Sequence, residues 1–185
     1  MKSFLRIKEM TKKLRYPVKN FDVTSFFGNR IHPITGLNAF HNGVDVSTPQ
    51  GSELRAQGDG VVDKVWISPA GGLQLRVNYN NGLSVGYAHL SLVDVGIGQK
   101  VATGQLIALT GGTPNTAGAG LSTGPHLHYT IKDKNGNYID PLSIDHKPFK
   151  STTALASMSF IPFRDPIGAI LLLAAGLIAN QLLKK

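Results

Sequence analysis

The sequence predicts a mainly β protein: an antiparallel sheet in a sandwich or barrel-like domain, with an apolar helix at the C-terminal end. Three observations predict it. Short runs of strand-forming residues recur between residues 23 and 142, separated by turn residues. Two Asn-Gly pairs, Asn81-Gly82 and Asn135-Gly136, stand between such runs and mark tight hairpins. A stretch from Ile167 to Leu183 carries no formal charge.

Taken in order, residues 1–22 form a basic N-terminal segment. It holds no long apolar run of the kind a secretory signal needs. Its opening reads as a short basic helix ending before Pro17. Residues 23–143 form the domain. Strands are expected at about 58–67, 72–79, 83–89, 105–110, 126–132 and 137–139, with no interval long enough for an extended amphipathic helix. These short spacings favour antiparallel pairing. The small-residue stretch 111–124, GGTPNTAGAGLSTG, reads as a loop at the rim of a cleft. Residues 144–160 read as a linker, and 161–185 as the apolar helix. The seventeen uncharged residues 167–183 would span roughly 25 Å as a helix, slightly less than a typical hydrocarbon core of ~30 Å. They are read as a membrane anchor, the alternative being a helix packed on protein.

Charge narrows the partners. Residues 1–19 carry seven basic groups and one acid, residues 20–146 seven basic and nine acidic, and residues 147–185 five basic and one acidic. The net charge of +8 therefore sits at the ends, and the domain itself is slightly acidic. A nucleic-acid-binding domain would cluster its cations on the folded part among aromatic residues, so that class is set aside. Basic ends beside an apolar segment suit an anionic surface, such as lipid headgroups or a wall polymer. The chain has no cysteine, which excludes a disulfide framework, a thiol nucleophile and thiolate metal ligands. Any metal must be held by His, Asp or Glu. The sequence carries no signal for an oligomeric state.

Four of the six histidines call for explanation. In HNGVDV, His41 and Asp45 stand four apart in a run of poor helix formers. If the run is extended, the even spacing puts both on one face. They can then be metal ligands, or a cap, or a salt-bridged pair. In HLH, His126 and His128 also share a strand face, as ligands or as surface imidazoles. Gly124-Pro125 gives that strand a rigid lead-in. His89 in GYAHLS closes the strand after the first Asn-Gly turn, where a hydrogen-bonded edge residue is the plain alternative.

Together these pieces resemble the lysostaphin-type (LytM-type) zinc metallopeptidases, which cut peptide bonds in bacterial peptidoglycan. SFFGNRIHPITG resembles the family's opening segment, and FHNGVDVSTPQGSELRAQGDGVV its first metal motif with the following strand. GYAHLS, VGIGQKVATGQLIALTG, STGPHLHYTI and NGNYIDPLS resemble later segments in the same order. The resemblance covers about residues 24–143.

It implies that His41, Asp45 and His128 bind zinc and that His89 and His126 are unbound catalytic histidines. Three protein ligands leave a fourth position for water. The chain's glutamates, Glu9 and Glu53, lie in no motif, so histidines are left to handle protons. His32, in the opening segment, is expected to be structural or substrate-facing, and His146 a solvated linker residue. The family often has a shorter stretch before STGPHLH, so the added TPNTAGAGL is expected to reshape the cleft wall. The implied partner is a peptidoglycan peptide. The alternative class is a non-enzymatic wall-binding or regulatory module. The setting expected is membrane-associated and outside the cytoplasm. That means a virion membrane presented to a host wall, or a bacterial envelope where the chain remodels the wall.

Overall fold

In the computed structural model, residues 13–149 are described, and their regular structure is almost all β. The strands are β1 (Lys13–Arg15), β2 (Asp22–Ser25), β3 (Gly28–Ile31), β4 (Asn38–His41), β5 (Val44–Ser47), β6 (Glu53–Arg55) and β7 (Gly60–Ser68). They continue with β8 (Gly72–Tyr79), β9 (Ser84–Val93), β10 (Lys100–Val101), β11 (Leu106–Thr110), β12 (His126–Lys132), β13 (Tyr138–Ile139) and β14 (Asp145–Lys147). The helical content among the described residues is one 3-10 turn, Pro141–Ser143.

The main sheet runs β10-β7-β8-β9-β12-β5-β2, with every pairing antiparallel. Its two end strands do not pair with each other, so the sheet is open and not a closed barrel. Both expected Asn-Gly turns close hairpins, β8 to β9 and β12 to β13. Gly82 (φ +80°) and Gly136 (φ +84°) take the left-handed conformation that such turns require.

The sheet forks at β9. Residues 84–88 pair with β12, whereas Leu90, Leu92 and Val93 pair with β11. On the β8 side, Leu73 faces Leu90 and Leu75 faces Tyr87, so β9 carries an extra residue there. This is a β-bulge, and it re-aims the side chains at its centre. His89 occupies it with φ +59°. The expected strand end at residue 89 is thus a bend inside a longer strand.

Alternation fixes which face is core. Along β12, Leu127, Tyr129 and Ile131 are fully buried, while His126, His128 and Thr130 point to the other face. In β5, Val44 and Val46 enter the core and Asp45 joins the histidines' face. Leu75, Val77, Val85, Leu54 and Ile107 complete the apolar interior. One buried polar chain crosses it. Gln57 Nε2 donates to Tyr129 Oη at 2.9 Å, Tyr87 Oη donates to Gln57 Oε1 at 2.7 Å, and Tyr79 Oη lies 2.9 Å from Tyr87 Oη. Each buried hydroxyl in it finds a partner, as burial demands.

Both ends of the described chain pack onto this core. β1 pairs in parallel with β14. Leu14, Val18 and Ile144 are buried in the core cluster. Lys13–Arg15 is therefore a strand where a helix was expected, because pairing with β14 and burial of Leu14 outweigh a weak local helix preference. His146 is not a solvated linker residue. Its ring stacks on Tyr16 and Phe21 at centroid distances of 5.4 and 5.6 Å. Its Nε2 is 3.0 Å from Tyr129 Oη, and its Nδ1 donates to Ile144 O at 2.8 Å.

The expected C-terminal apolar helix, with its anchor segment 167–183, lies outside the described residues. Among the described residues no helix is long and apolar enough to cross a membrane.

Candidate metal centre and its histidines

β12 lies between β5 and β9, and its register places His128 beside both Asp45 and Ala88. His41 arrives from the end of β4, whose partner is β3. The run HNGVDV is therefore not one continuous strand, as the even-spacing argument assumed. It breaks at Asn42-Gly43 between β4 and β5. The reason is contact: a Cβ on Gly43 would meet Tyr129 O at 2.3 Å and Thr130 Cγ2 at 2.8 Å. Only glycine lets the chain pass so close to β12 and turn His41 back towards Asp45.

Three ligand atoms converge. His128 Nδ1 is 2.9 Å from Asp45 Oδ1, His41 Nε2 is 3.3 Å from the same oxygen, and the two imidazole nitrogens are 3.1 Å apart. Each imidazole has its other nitrogen occupied. His41 Nδ1 is 2.8 Å from Phe26 O, and a carbonyl can only accept, so that nitrogen carries the proton. His128 Nε2 is 3.1 Å from Asn42 Oδ1 and donates to it. Both converging nitrogens are then bare lone pairs beside a carboxylate oxygen. Three acceptors this close call for an electron-poor centre between them. A tetrahedral zinc with bonds of about 2.0 Å has donor–donor edges of roughly 3.3 Å, so the set fits such an ion. Phe26 O and Asn42 Oδ1, which accept these hydrogen bonds, are the outer-shell partners that fix tautomer and ring orientation.

The local electrostatics agree. Burial raises the Asp45 carboxyl, but the hydrogen bonds and charge that protonated His128 and His41 would offer it overcome this and hold it well below the usual carboxylate range, so the site favours the ionised carboxylate that a cation needs. His128 is lowered by burial, against the opposing pull of Asp45. Arg30 adds a cation to the far oxygen, with its guanidinium 3.5 Å from Asp45 Oδ2 and 2.8 Å from Ser25 Oγ.

His126 and His89 stand beside this set without joining it. His126 Nε2 is 3.9 Å from Asp45 Oδ1, and its Nδ1 donates to Gly124 O at 2.8 Å. His89 is 7 % exposed, and its Nδ1 donates to Ala119 O at 2.6 Å. The rings of His89 and His126 are 4.5 Å apart, centroid to centroid. Burial pushes His89 down to about 4, with smaller effects from the neighbouring imidazoles. Its left-handed backbone is a sparsely populated state for a non-glycine residue, the kind of strain that collects at functional sites.

All five expected residues are thus brought into one place. His32 is not among them: its Nδ1 accepts from the backbone N–H groups of Ile34 and Thr35 and holds the β3–β4 turn. Sequence reasoning missed Arg30, Asn42 and Ala119. Arg30 and Asn42 lie inside quoted motifs and carried a signal by position. Ala119 acts through its carbonyl and carried none.

Residues 39–141 match peptidase family M23. Over 150 residues the chain is 37% identical to peptidoglycan DD-endopeptidase ShyB of Vibrio cholerae, covering 80% of this chain and 34% of that protein. The chain spans about a quarter to a third of the curated relatives it matches. Among solved structures, a zinc containing peptidase from Vibrio cholerae superposes with a TM-score of 0.58 at 35% identity, covering 70% of this chain and 41% of that one. The catalytic domain of lysostaphin from Staphylococcus simulans superposes with a TM-score of 0.57 at 30% identity, covering 66% and 90%. The order of motifs, the three-ligand cluster and the sheet that presents it are those of a metallopeptidase, and the chain belongs to peptidase family M23.

Proposed function

We propose that the chain is a zinc-dependent endopeptidase that hydrolyses peptide cross-links of bacterial peptidoglycan. The observation that carries this reading is the convergence of His41, Asp45 and His128, with two further imidazoles, His89 and His126, alongside and outside the ligand set. Similar proteins named as peptidoglycan DD-endopeptidases support the substrate class.

His41 Nε2, Asp45 Oδ1 and His128 Nδ1 would hold the ion. When bound, zinc supplies a polarised scissile carbonyl and a water of lowered pKa. The chain's own residues supply proton handling. His126 Nε2, at the edge of the cluster, is placed to take a proton from the attacking water. His89 is adjacent, and burial keeps its imidazole neutral at physiological pH. Two imidazoles this close disfavour both becoming imidazolium cations at once. The hydroxyl oxygen adds to the carbonyl carbon, and as the C–N bond then breaks the proton taken from water is passed on to the departing amine nitrogen. Among the described residues the glutamate, Glu53, is engaged on the surface with Arg55 at 2.6 Å and is not placed to act as base.

The apolar run 167–183 supports a second element of the proposal, attachment of the enzyme to a membrane facing the wall, in a virion or in an envelope. Flotation of the full chain with phospholipid vesicles, compared with a chain ending at residue 149, tests it.

The main test is digestion of purified peptidoglycan followed by mass spectrometry of the released muropeptides. Cleavage should stop with chelator and return with zinc. A zinc-loaded chain that cleaves no muropeptide would overturn the enzyme reading. The masses released also distinguish glycine cross-bridges from the D-alanine and diaminopimelate region.

A further inference from the structure

The long small-residue loop 111–124 is more than a wall of the cleft, for it touches both non-ligand histidines. Ala119, 2 % exposed, accepts the His89 Nδ1 proton through its carbonyl at 2.6 Å. Gly124 accepts the His126 Nδ1 proton through its carbonyl at 2.8 Å. Ser122 ties the second contact down. Its Oγ lies 2.6 Å from Gly112 O, 2.8 Å from Gly124 O and 3.2 Å from His126 Nδ1.

The loop is pinned where this matters. Leu121 N donates to Ala70 O at 2.8 Å, and Leu73 N donates to Gly118 O at 2.9 Å, so the loop docks on the β7–β8 turn. The same turn receives the backbone of His89, whose N–H donates to Gly71 O at 2.8 Å. The docking is too close for side chains. A Cβ on Gly120 would meet Gly72 N at 2.3 Å and Ala70 O at 2.4 Å, and one on Gly118 would meet Leu90 O at 2.3 Å. Gly118 and Gly120 also have φ of +82° and +61°. These glycines bring the Ala119 carbonyl within reach of a buried imidazole.

We propose that the loop 111–124 is a tautomer clamp. The Ala119 carbonyl and the Ser122–Gly124 pair hold His89 and His126 as Nδ1–H imidazoles. Both Nε2 atoms are left bare for proton transfer. A carbonyl can only accept, so each contact dictates which nitrogen is protonated. Ala119 and Ser122 are then positioning residues, acting on the reaction through the two histidines. The inference rests on the hydrolase reading of His89 and His126.

The test uses the full-length chain loaded with zinc and three variants, Gly120→Ala, Ser122→Ala and Ser122→Thr. Imidazole nitrogen shifts from long-range proton–nitrogen NMR at neutral pH report the tautomers. The wild type should show His89 and His126 each as a single Nδ1–H form. Gly120→Ala should give a tautomer mixture at His89, and Ser122→Ala one at His126. Each should lower kcat on a muropeptide by roughly 10- to 100-fold, with KM and bound zinc little changed, as expected for misplaced groups in a built site. Ser122→Thr keeps the hydroxyl and should restore both signal and rate. Unchanged tautomers in Gly120→Ala and Ser122→Ala would overturn the proposal, as would full kcat despite mixed tautomers. Should Gly120→Ala fail to fold, Ser122→Ala, which adds no atom, decides alone. Absence of turnover by the wild type would instead defeat the hydrolase reading, since the tautomer comparison requires no turnover.

Discussion

His128 Nδ1 lies 2.9 Å from Asp45 Oδ1, and the two residues are direct cross-strand partners between β12 and β5. The ligand pair is thus set by strand register. A one-residue slip of β12 would send His128 into the core and Tyr129 to the cleft.

The metal should therefore depend on the orienting groups as well as the ligands. His41→Ala and His128→Ala should lose bound metal and activity together. Asn42→Ala removes the acceptor of His128 Nε2–H and should weaken metal binding by about 10- to 100-fold without abolishing it. Competition with a chromophoric chelator measures both effects.

His126 and His89 should separate from the ligands in the same assay. His126→Ala and His89→Ala should retain stoichiometric metal, while turnover falls by about 10²- to 10⁴-fold, the range for loss of general acid–base help. Metal analysis beside muropeptide kinetics checks this, and metal loss in the His126 variant would reassign it as a ligand.

Gly43→Ala should damage fold and site at once. Its new Cβ collides with Tyr129 O, a backbone atom that β12 pairing holds in place. Overpacking of this kind costs about 1–3 kcal/mol. Thermal melting should show the loss, and metal affinity should fall with it because Gly43 lies between His41 and Asp45.

A chain limited to residues 23–143 should be less stable than one spanning 13–149. It lacks Leu14, Val18 and Ile144 from the core, and it leaves Tyr129 Oη without His146. Comparative melts test this, with a lower midpoint expected for the shorter chain.

Acid should loosen the same region. Burial lowers the pKa of His146 below its ordinary 6.5, with smaller opposing contributions from Ile144 O and Asp145. The unfolded chain then binds more protons than the folded one as pH drops below about 6.5, so stability is present above that pH and lost as pH falls. Metal-free His146→Phe should show a flatter loss of melting temperature on acidification than the metal-free parent.

The sequence by itself determined six of the fourteen strands among the described residues, β7, β8, β9, β11, β12 and β13, both Asn-Gly turns and the alternation that puts His126 and His128 on one face. These are local properties: a period of two and a turn needing positive φ are written in neighbouring residues. The same local rule misled at HNGVDV, where contact between Gly43 and β12 breaks the strand, and at Lys13–Arg15, where pairing with β14 outweighs propensity. Tertiary structure alone decided that Asp45 faces His128, that His89 occupies a bulge where β9 changes partners, and that His146 is half-buried against aromatic rings. It also decided that the Ala119 carbonyl reaches His89. The contacts of Asp45 with His128, His146 with Tyr16 and Ala119 with His89 join residues 30 to 130 positions apart, and a backbone carbonyl has no side-chain identity to read, so register and close approach settle them.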